Sequence, residues 1–334
     1  MRVVVSGDIL TDRCQEAWKL HRLFSYACEG RHVITVDPGE SLSAWLSKLD
    51  ETSRSSYERA FQLALRAAPA QPVDVATVRI ETTTTSAWND PEAILSLDDA
   101  LRVLDESLAI LVENAENDWK FLLGIMRRSE RERIQRAVSN RWAQPVHGGG
   151  DTLKTQLETR LKLSPQALRT FVLFDCDRLH PDEHSSQWTP IRPGQQPSAC
   201  QAFELENLVK DKMPSRYWML QRRFIESYLP REELGPGAAK KTPADAVEEF
   251  YKLSQPQRWY FNMKEGFDGD ARRHDRERRG TLYREDQMLN PALRVGFGRQ
   301  LANQYSHAVQ REFNWDAEAR AEAGQKIPLL MRLL

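Results

Sequence analysis

Phe171-Val172-Leu173-Phe174-Asp175-Cys176-Asp177-Arg178 is a run of four apolar residues closed by two acids at i and i+2, bounded by Thr170 and by His180-Pro181. A short run that is apolar on both faces, with two aromatic residues and one β-branched, reads as a buried strand of a parallel sheet; periodicity alone leaves a buried helical turn open. The carboxylates then fall at the strand's carboxyl end, where open α/β sheets bind ligands. An Asp-x-Asp by itself also reads as a cap for the helix that follows. Only a further acid from a neighbouring strand favours a metal site.

Such an acid stands upstream. Residues 107–113 read Ser-Leu-Ala-Ile-Leu-Val-Glu, a second apolar run ending in a carboxylate, Glu113, and residues 114–118 lead into an amphipathic stretch that begins at Trp119. Strand, acid, helix is the grammar of both segments. Three carboxylates on one sheet edge cannot all stay ionised unaided, because like charges in a partly desolvated site raise one another's pKa. A divalent cation is the usual compensation, and all-oxygen ligation favours Mg2+ or Mn2+.

An apolar strand ending in Glu113, a glycine turn at Gly148-Gly149-Gly150 and an apolar strand ending in Asp175-x-Asp177 resemble the TOPRIM domain shared by topoisomerases, bacterial primases and OLD-type nucleases. Two later blocks resemble segments of OLD-like bacterial defence nucleases: Arg222-Arg223-Phe224-Ile225-Glu226-Ser227-Tyr228-Leu229-Pro230 and Tyr260-Phe261-Asn262-Met263-Lys264-Glu265-Gly266. The resemblance covers residues 105–300 as four short blocks. It implies an α/β TOPRIM fold, a Rossmann-like parallel sheet flanked by helices. It further implies a metal-dependent endonuclease that hydrolyses phosphodiester bonds in DNA or RNA, as an antiphage defence effector. Glu113, Asp175 and Asp177 would then hold a first Mg2+ (or Mn2+), with Glu226 helping to hold a second. Glu113 is alternatively the general acid or base, and Lys264 would stabilise the transition state. The family has Gly directly after the first Glu and an acid four residues on; here Asn114 and Asn117 stand at those places and Asp118 comes one place later. The roles of Asp118 and His147 stay open.

From the residues alone, Glu226 lies among Phe224, Ile225, Tyr228 and Leu229, where an unpaired carboxylate is costly. Its partner is either Arg222 or Arg223, in a structural salt bridge, or a metal. Lys264, amid aromatics, is either a snorkelling side chain or a charge placed against a phosphate.

The chain has 334 residues, 47 Lys and Arg against 48 Asp and Glu, and 40% apolar residues. That length suffices for one large or two modest domains with a substantial core. The charge balance excludes a globally basic nucleic-acid binder and leaves phosphate affinity to local clusters and metal. The densest basic run, with Arg272, Arg273, Arg276, Arg278 and Arg279, has Trp259 and Tyr260 nearby and is the expected nucleic-acid contact. No run approaches roughly 18 apolar residues and no signal pattern opens the chain, so a cytoplasmic protein without membrane attachment is expected. Cys14, Cys28, Cys176 and Cys200 lack zinc-site spacing and read as reduced thiols. No GxxxxGK[ST] phosphate loop occurs, and residues 235–242 only superficially imitate one. Because many OLD-like nucleases carry or accompany an ATPase, the resemblance implies a separately encoded ATPase as a partner. The alternative to an enzyme is a catalytically inactive TOPRIM-like scaffold or regulatory partner of such an ATPase.

Residues 1–104 read as a small α/β region for protein contact, with strands at 2–5, 32–36 and 73–80, helices at 12–26 and 42–67, and a polar loop at 81–91. Its acids Asp8, Asp12 and Asp37 are explained by caps and turns. Within 105–300, the interleaved Arg and Glu of 127–133 read as a solvated helix face. Residues 143–146 form a strand before the glycine turn, whose amides either approach an anion or simply make a tight bend. A helix at 201–211, a strand at 217–220 and a Gly/Pro/Lys linker at 234–244 follow. Residues 301–334 form a helical C-terminal segment, and 328–334 are apolar enough to dock on this domain or on a partner, a homo-oligomer included.

Overall fold

Short apolar runs make the strands and a helical crossover follows almost every one, which is why every strand pair is parallel. The computed structural model describes residues 1–12, 17–37, 39–67, 77–89, 92–149, 152–185, 201–272 and 279–334. Strands β1 (Arg2–Val5), β2 (Val33–Val36), β3 (Thr77–Ile80) and β4 (Glu92–Leu95) form one sheet in the order β2-β1-β3-β4. Strands β5 (Leu108–Val112), β6 (Ala143–His147), β7 (Thr170–Phe174) and β8 (Tyr217–Met219) form a second in the order β6-β5-β7-β8. The same winding occurs twice.

β5 and β7 are buried at every position, as two-sided apolar runs require. Their register pairs Val112 with Leu173, and Phe174 pairs with Met219 of β8. The winding reverses between β5 and β7, so the crevice where such sheets take ligands opens between the acids that follow these two strands. One apolar cluster runs from Met1 to Leu334 and joins both sheets. A smaller one packs the opposite face of β7, through Val172 and Phe174, on helices Thr152–Leu161 and Gln201–Lys212.

The C-terminal segment closes the far side of the second sheet. Helix Ala317–Met331 lies along β8, where Glu322 accepts from the Trp218 indole (2.8 Å), the Tyr228 hydroxyl (2.6 Å) and the Gln221 amide (2.9 Å). Helices Asn117–Ile125 and Tyr305–Gln310 approach so closely that a Cβ on Gly124 would stand 2.6 Å from that of Ala308.

Several elements depart from expectation. β4, directly after the polar loop read at 81–91, is a strand the sequence reading did not include; its edge position, with Glu92 outward, hides the apolar pattern. The stretch 42–67 is two helices, Glu40–Leu46 and Glu51–Ala67, broken ahead of Thr52, with Asp50 Oδ1 accepting from the Ser53 amide at 3.0 Å. The expected linker at 234–244 starts inside helix Arg231–Gly237, anchored by the fully buried Leu234. Residues 68–76, and with them the first part of the strand expected at 73–80, lie outside the described residues, as do Cys14 and Cys200; Cys28 and Cys176 are free thiols. No helix among the described residues is long and apolar enough to cross a membrane.

Candidate functional site

Because β5 and β7 end side by side, the residues after them meet. Glu113 Oε1 accepts from the Asp175 amide at 3.3 Å, and Asp175 Oδ1 accepts from the Ile225 amide at 3.2 Å. The second bond draws in the 3-10 turn Ile225–Tyr228 and with it Glu226, which is 2% exposed. Asp177 stands at φ +53°, in the left-handed region that Asp tolerates better than most residues, and its amide donates to Arg223 O at 3.3 Å. Lys264 enters from the far side, with Nζ 3.4 Å from Glu226 Oε1 and 4.4 Å from the centre of the Phe224 ring.

Asp118, left open by the sequence, belongs to this group. Its Oδ2 accepts from the Asn114 amide at 2.8 Å, while Asn114 Oδ1 accepts from the amides of Glu116 and Asn117. The longer turn is thus folded on itself and the carboxyl still points inward, 8% exposed.

The choice left open for Glu226 resolves against both arginines. Arg223 makes a buried two-bond pair with Asp270, at 2.8 and 3.0 Å. Arg222 takes Asp316 at 2.5 Å and Ser227 O at 2.8 Å, between the rings of Tyr228 and Trp259. Glu226 is left with Lys264 on one oxygen, and its Oε2 is buried without a hydrogen-bond partner. A distant lysine, and neither of the two neighbouring arginines, is the cation beside Glu226.

The charges are unbalanced. Burial, then Asp177 and Asp118, push the Glu113 carboxyl up to about 8. Burial, opposed by the Asn114 amide and reinforced by Glu226, lifts Asp118 to about 6. Asp175 is raised well above the ordinary range by burial and then by Glu113. Burial by itself would lower the Lys264 ammonium, but Glu226, Asp175, Glu113 and Asp177 hold it above an ordinary lysine. Five carboxyl groups surround one ammonium, and the excess of negative charge is what a cation would relieve. The donor set is all oxygen, and Glu226 Oε2 is a buried acceptor without a partner; both suit Mg2+ or Mn2+. Among the described residues, no group of three or more His, Cys, Asp or Glu is placed so that it could hold a metal ion as it stands. The acids converge electrostatically without enclosing a point.

Other residues that the sequence put forward or left open fall outside this group. His147 is an exposed rim residue whose Nδ1 accepts from the Ala115 amide at 3.3 Å. The amides of Gly148 and Gly149 donate to Val112 O and Glu113 O, so they fasten the end of β5 and are not free for an anion. In the basic run, Arg272 is exposed, 3.7 Å from Glu265. Arg279 corrects the expectation of an exposed cation: it is 5% exposed, beneath the ring of Phe267. Arg273, Arg276 and Arg278 lie outside the described residues.

Sequence reading missed what holds Lys264. Its loop crosses the segment of Gly296, and both Gly266 (φ +61°) and Gly296 (φ +63°) need the left-handed region. A Cβ on Gly266 would stand 2.4 Å from Gly296 N and from Arg294 O, so only glycine fits the crossing. Tyr305, from the C-terminal segment, reaches Ile225 O from behind the acids. No family model matches the chain, and no curated protein or solved structure matches it significantly.

Proposed function

We propose that the chain is a TOPRIM-type, Mg2+- or Mn2+-dependent nuclease that hydrolyses phosphodiester bonds in DNA or RNA, with catalytic residues in 105–300. The supporting observation is the convergence of Glu113, Asp118, Asp175, Asp177 and Glu226 around Lys264 at the winding reversal of a parallel sheet, with one buried carboxylate oxygen unpartnered. Glu113, Asp175 and Asp177 would hold a divalent ion, with Glu226 available to a second. When bound, such ions polarise the phosphoryl oxygen and lower the pKa of bound water. Asp175 and Glu113 orient one another through the Asp175 amide, and in its alternative role, off the ion, Glu113 with its pKa raised to about 8 holds or releases a proton near neutrality. Lys264, one-third exposed, presents its ammonium to charge developing on a phosphate. An antiphage role, a cytoplasmic setting and a separately encoded ATPase are parts of the same proposal.

A second reading, an idle TOPRIM-like module that docks on a partner, draws support from the bonds that Asp175 and Glu113 make to backbone amides, since acids kept only to fasten loops would do the same. Incubating the protein with Mg2+ or Mn2+ and a mixture of DNA and RNA separates the two. Cleavage that vanishes in Asp175→Ala is expected of the nuclease; absence of cutting under every ion leaves the module.

A further inference from the structure

Around the corner of the Ile225–Tyr228 turn from Glu226 lies a cavity of ≈ 290 Å³ that no part of the metal-site reading uses. Ser227 and Met263, each next in sequence to a member of the acid and lysine group, form part of its lining. Trp259 and Trp315 supply an aromatic wall, Arg222, Arg231 and Arg258 contribute guanidinium groups, and the Tyr251 ring carries two of these, Arg231 at 4.7 Å and Arg258 at 5.4 Å.

The three cations are not equivalent. Arg222 is spent on Asp316 and Ser227 O, and Arg231 is paired with Glu248. Arg258 lies over the Tyr251 ring at 5.4 Å and donates from Nη1 to Leu253 O at 2.5 Å; no carboxylate among the described residues pairs with it. Stacking uses the face of a guanidinium, and Leu253 O takes one Nη1 donor, which leaves the Nε and Nη2 side of the edge for the paired N–H donors that grip phosphate. A second polar group faces the same lack: Ser227 Oγ is buried with no hydrogen-bond partner. Of the acids in the lining, Asp316 is held by Arg222 and caps helix Ala317–Met331 through the Ala319 amide, while Glu232 and Glu318 are exposed and make no ion pair with Arg258. A ligand that satisfies this cavity has a planar apolar body, for the aromatic wall, and one anionic group, for the edge of Arg258.

We infer that the cavity binds a nucleoside phosphate, with the base against Trp259 and Trp315 and the phosphate on Arg258. A free mononucleotide and an unpaired nucleotide of a single strand share this chemistry. Binding needs no divalent ion and stands apart from the nuclease reading.

The test uses the full chain in EDTA and follows quenching of tryptophan fluorescence, since Trp259 and Trp315 line the cavity. One arm titrates AMP and UMP, another a ten-residue oligothymidylate, a third the same sequence as a duplex. Saturable quenching by a mononucleotide assigns a free nucleotide; quenching by the single strand alone assigns a strand. Arg258→Ala is expected to weaken the binding arm at least tenfold and Arg258→Lys to weaken it less, with unchanged melting temperatures. Ser227→Val, which leaves Arg258 in place, is expected to weaken it as well if the hydroxyl contacts the ligand. No quenching in any arm, preference for duplex, or equal affinity in Arg258→Ala and wild type overturns the inference. Cleavage with Mg2+ that persists beside such a result leaves the nuclease reading intact, and loss of cleavage beside normal binding does the reverse.

Discussion

At the scale of single residues, the acids govern how stability depends on pH. Glu113 and Asp118 are raised, to about 8 and about 6, so between the ordinary carboxylate range and those values the folded chain holds more protons than the unfolded one. Stability conferred this way is fully present below the unfolded pKa and is lost as pH climbs through the folded pKa. In EDTA the melting temperature is therefore expected to fall between pH 5 and pH 8, by roughly 5 °C or more. Mg2+ or Mn2+ at pH 8 should restore it, and Glu113→Gln should flatten the profile and melt above wild type at pH 8. A profile that rises over this interval would contradict the charge imbalance. Away from the acids, Asp270→Ala strands a buried guanidinium that now has two bonds to that carboxylate. Urea titration should show a loss of about 3–5 kcal/mol, because breaking a buried pair leaves an uncompensated charge.

Elements decide whether those residues meet. β5 and β7 were legible in the sequence because burial on both faces leaves unbroken apolar runs, and the acids at their ends were legible with them. β4 was not: Glu92 and the alternation of an edge strand blend into the polar tract before it. Helix Arg231–Gly237 was hidden by Gly235, Pro236 and Gly237, which carry turn chemistry at short range but sit on Leu234, a core residue. Asp118 escaped because the extra residue in its turn is absorbed by bonds to Asn114 that spacing alone does not reveal. The lysine partner of Glu226 escaped because it arrives on a loop fixed by contacts far along the chain. That loop gives a direct test: Gly266→Ala puts a methyl group against backbone at 2.4 Å and a side chain at φ +61°. A loss well above 1 kcal/mol in urea titration is expected; a variant as stable as wild type would mean that the crossing is loose.

For the whole molecule, the apolar cluster that joins both sheets makes the parts interdependent. Arg169, 1% exposed, donates to Glu106 O and to Leu333 O, tying the junction between the sheets to the C-terminal segment. A version cut before helix Ala317–Met331 loses Glu322 and leaves the Trp218 indole and Tyr228 hydroxyl without their acceptor. Circular dichroism of that version should show no cooperative thermal transition. The parallel winding also bears on how the chain reaches its native state. No pair in either sheet is a hairpin that could zip from a tight bend, so each must await the crossover between its strands. Such long-range closure is slow, and refolding from urea is expected on the scale of seconds, well behind a helical bundle of similar size. During synthesis the interval is longer still for β8: the carboxylate that seats its tryptophan lies 104 residues downstream, so the second sheet leaves the ribosome with an open seam that a chaperone is well placed to cover.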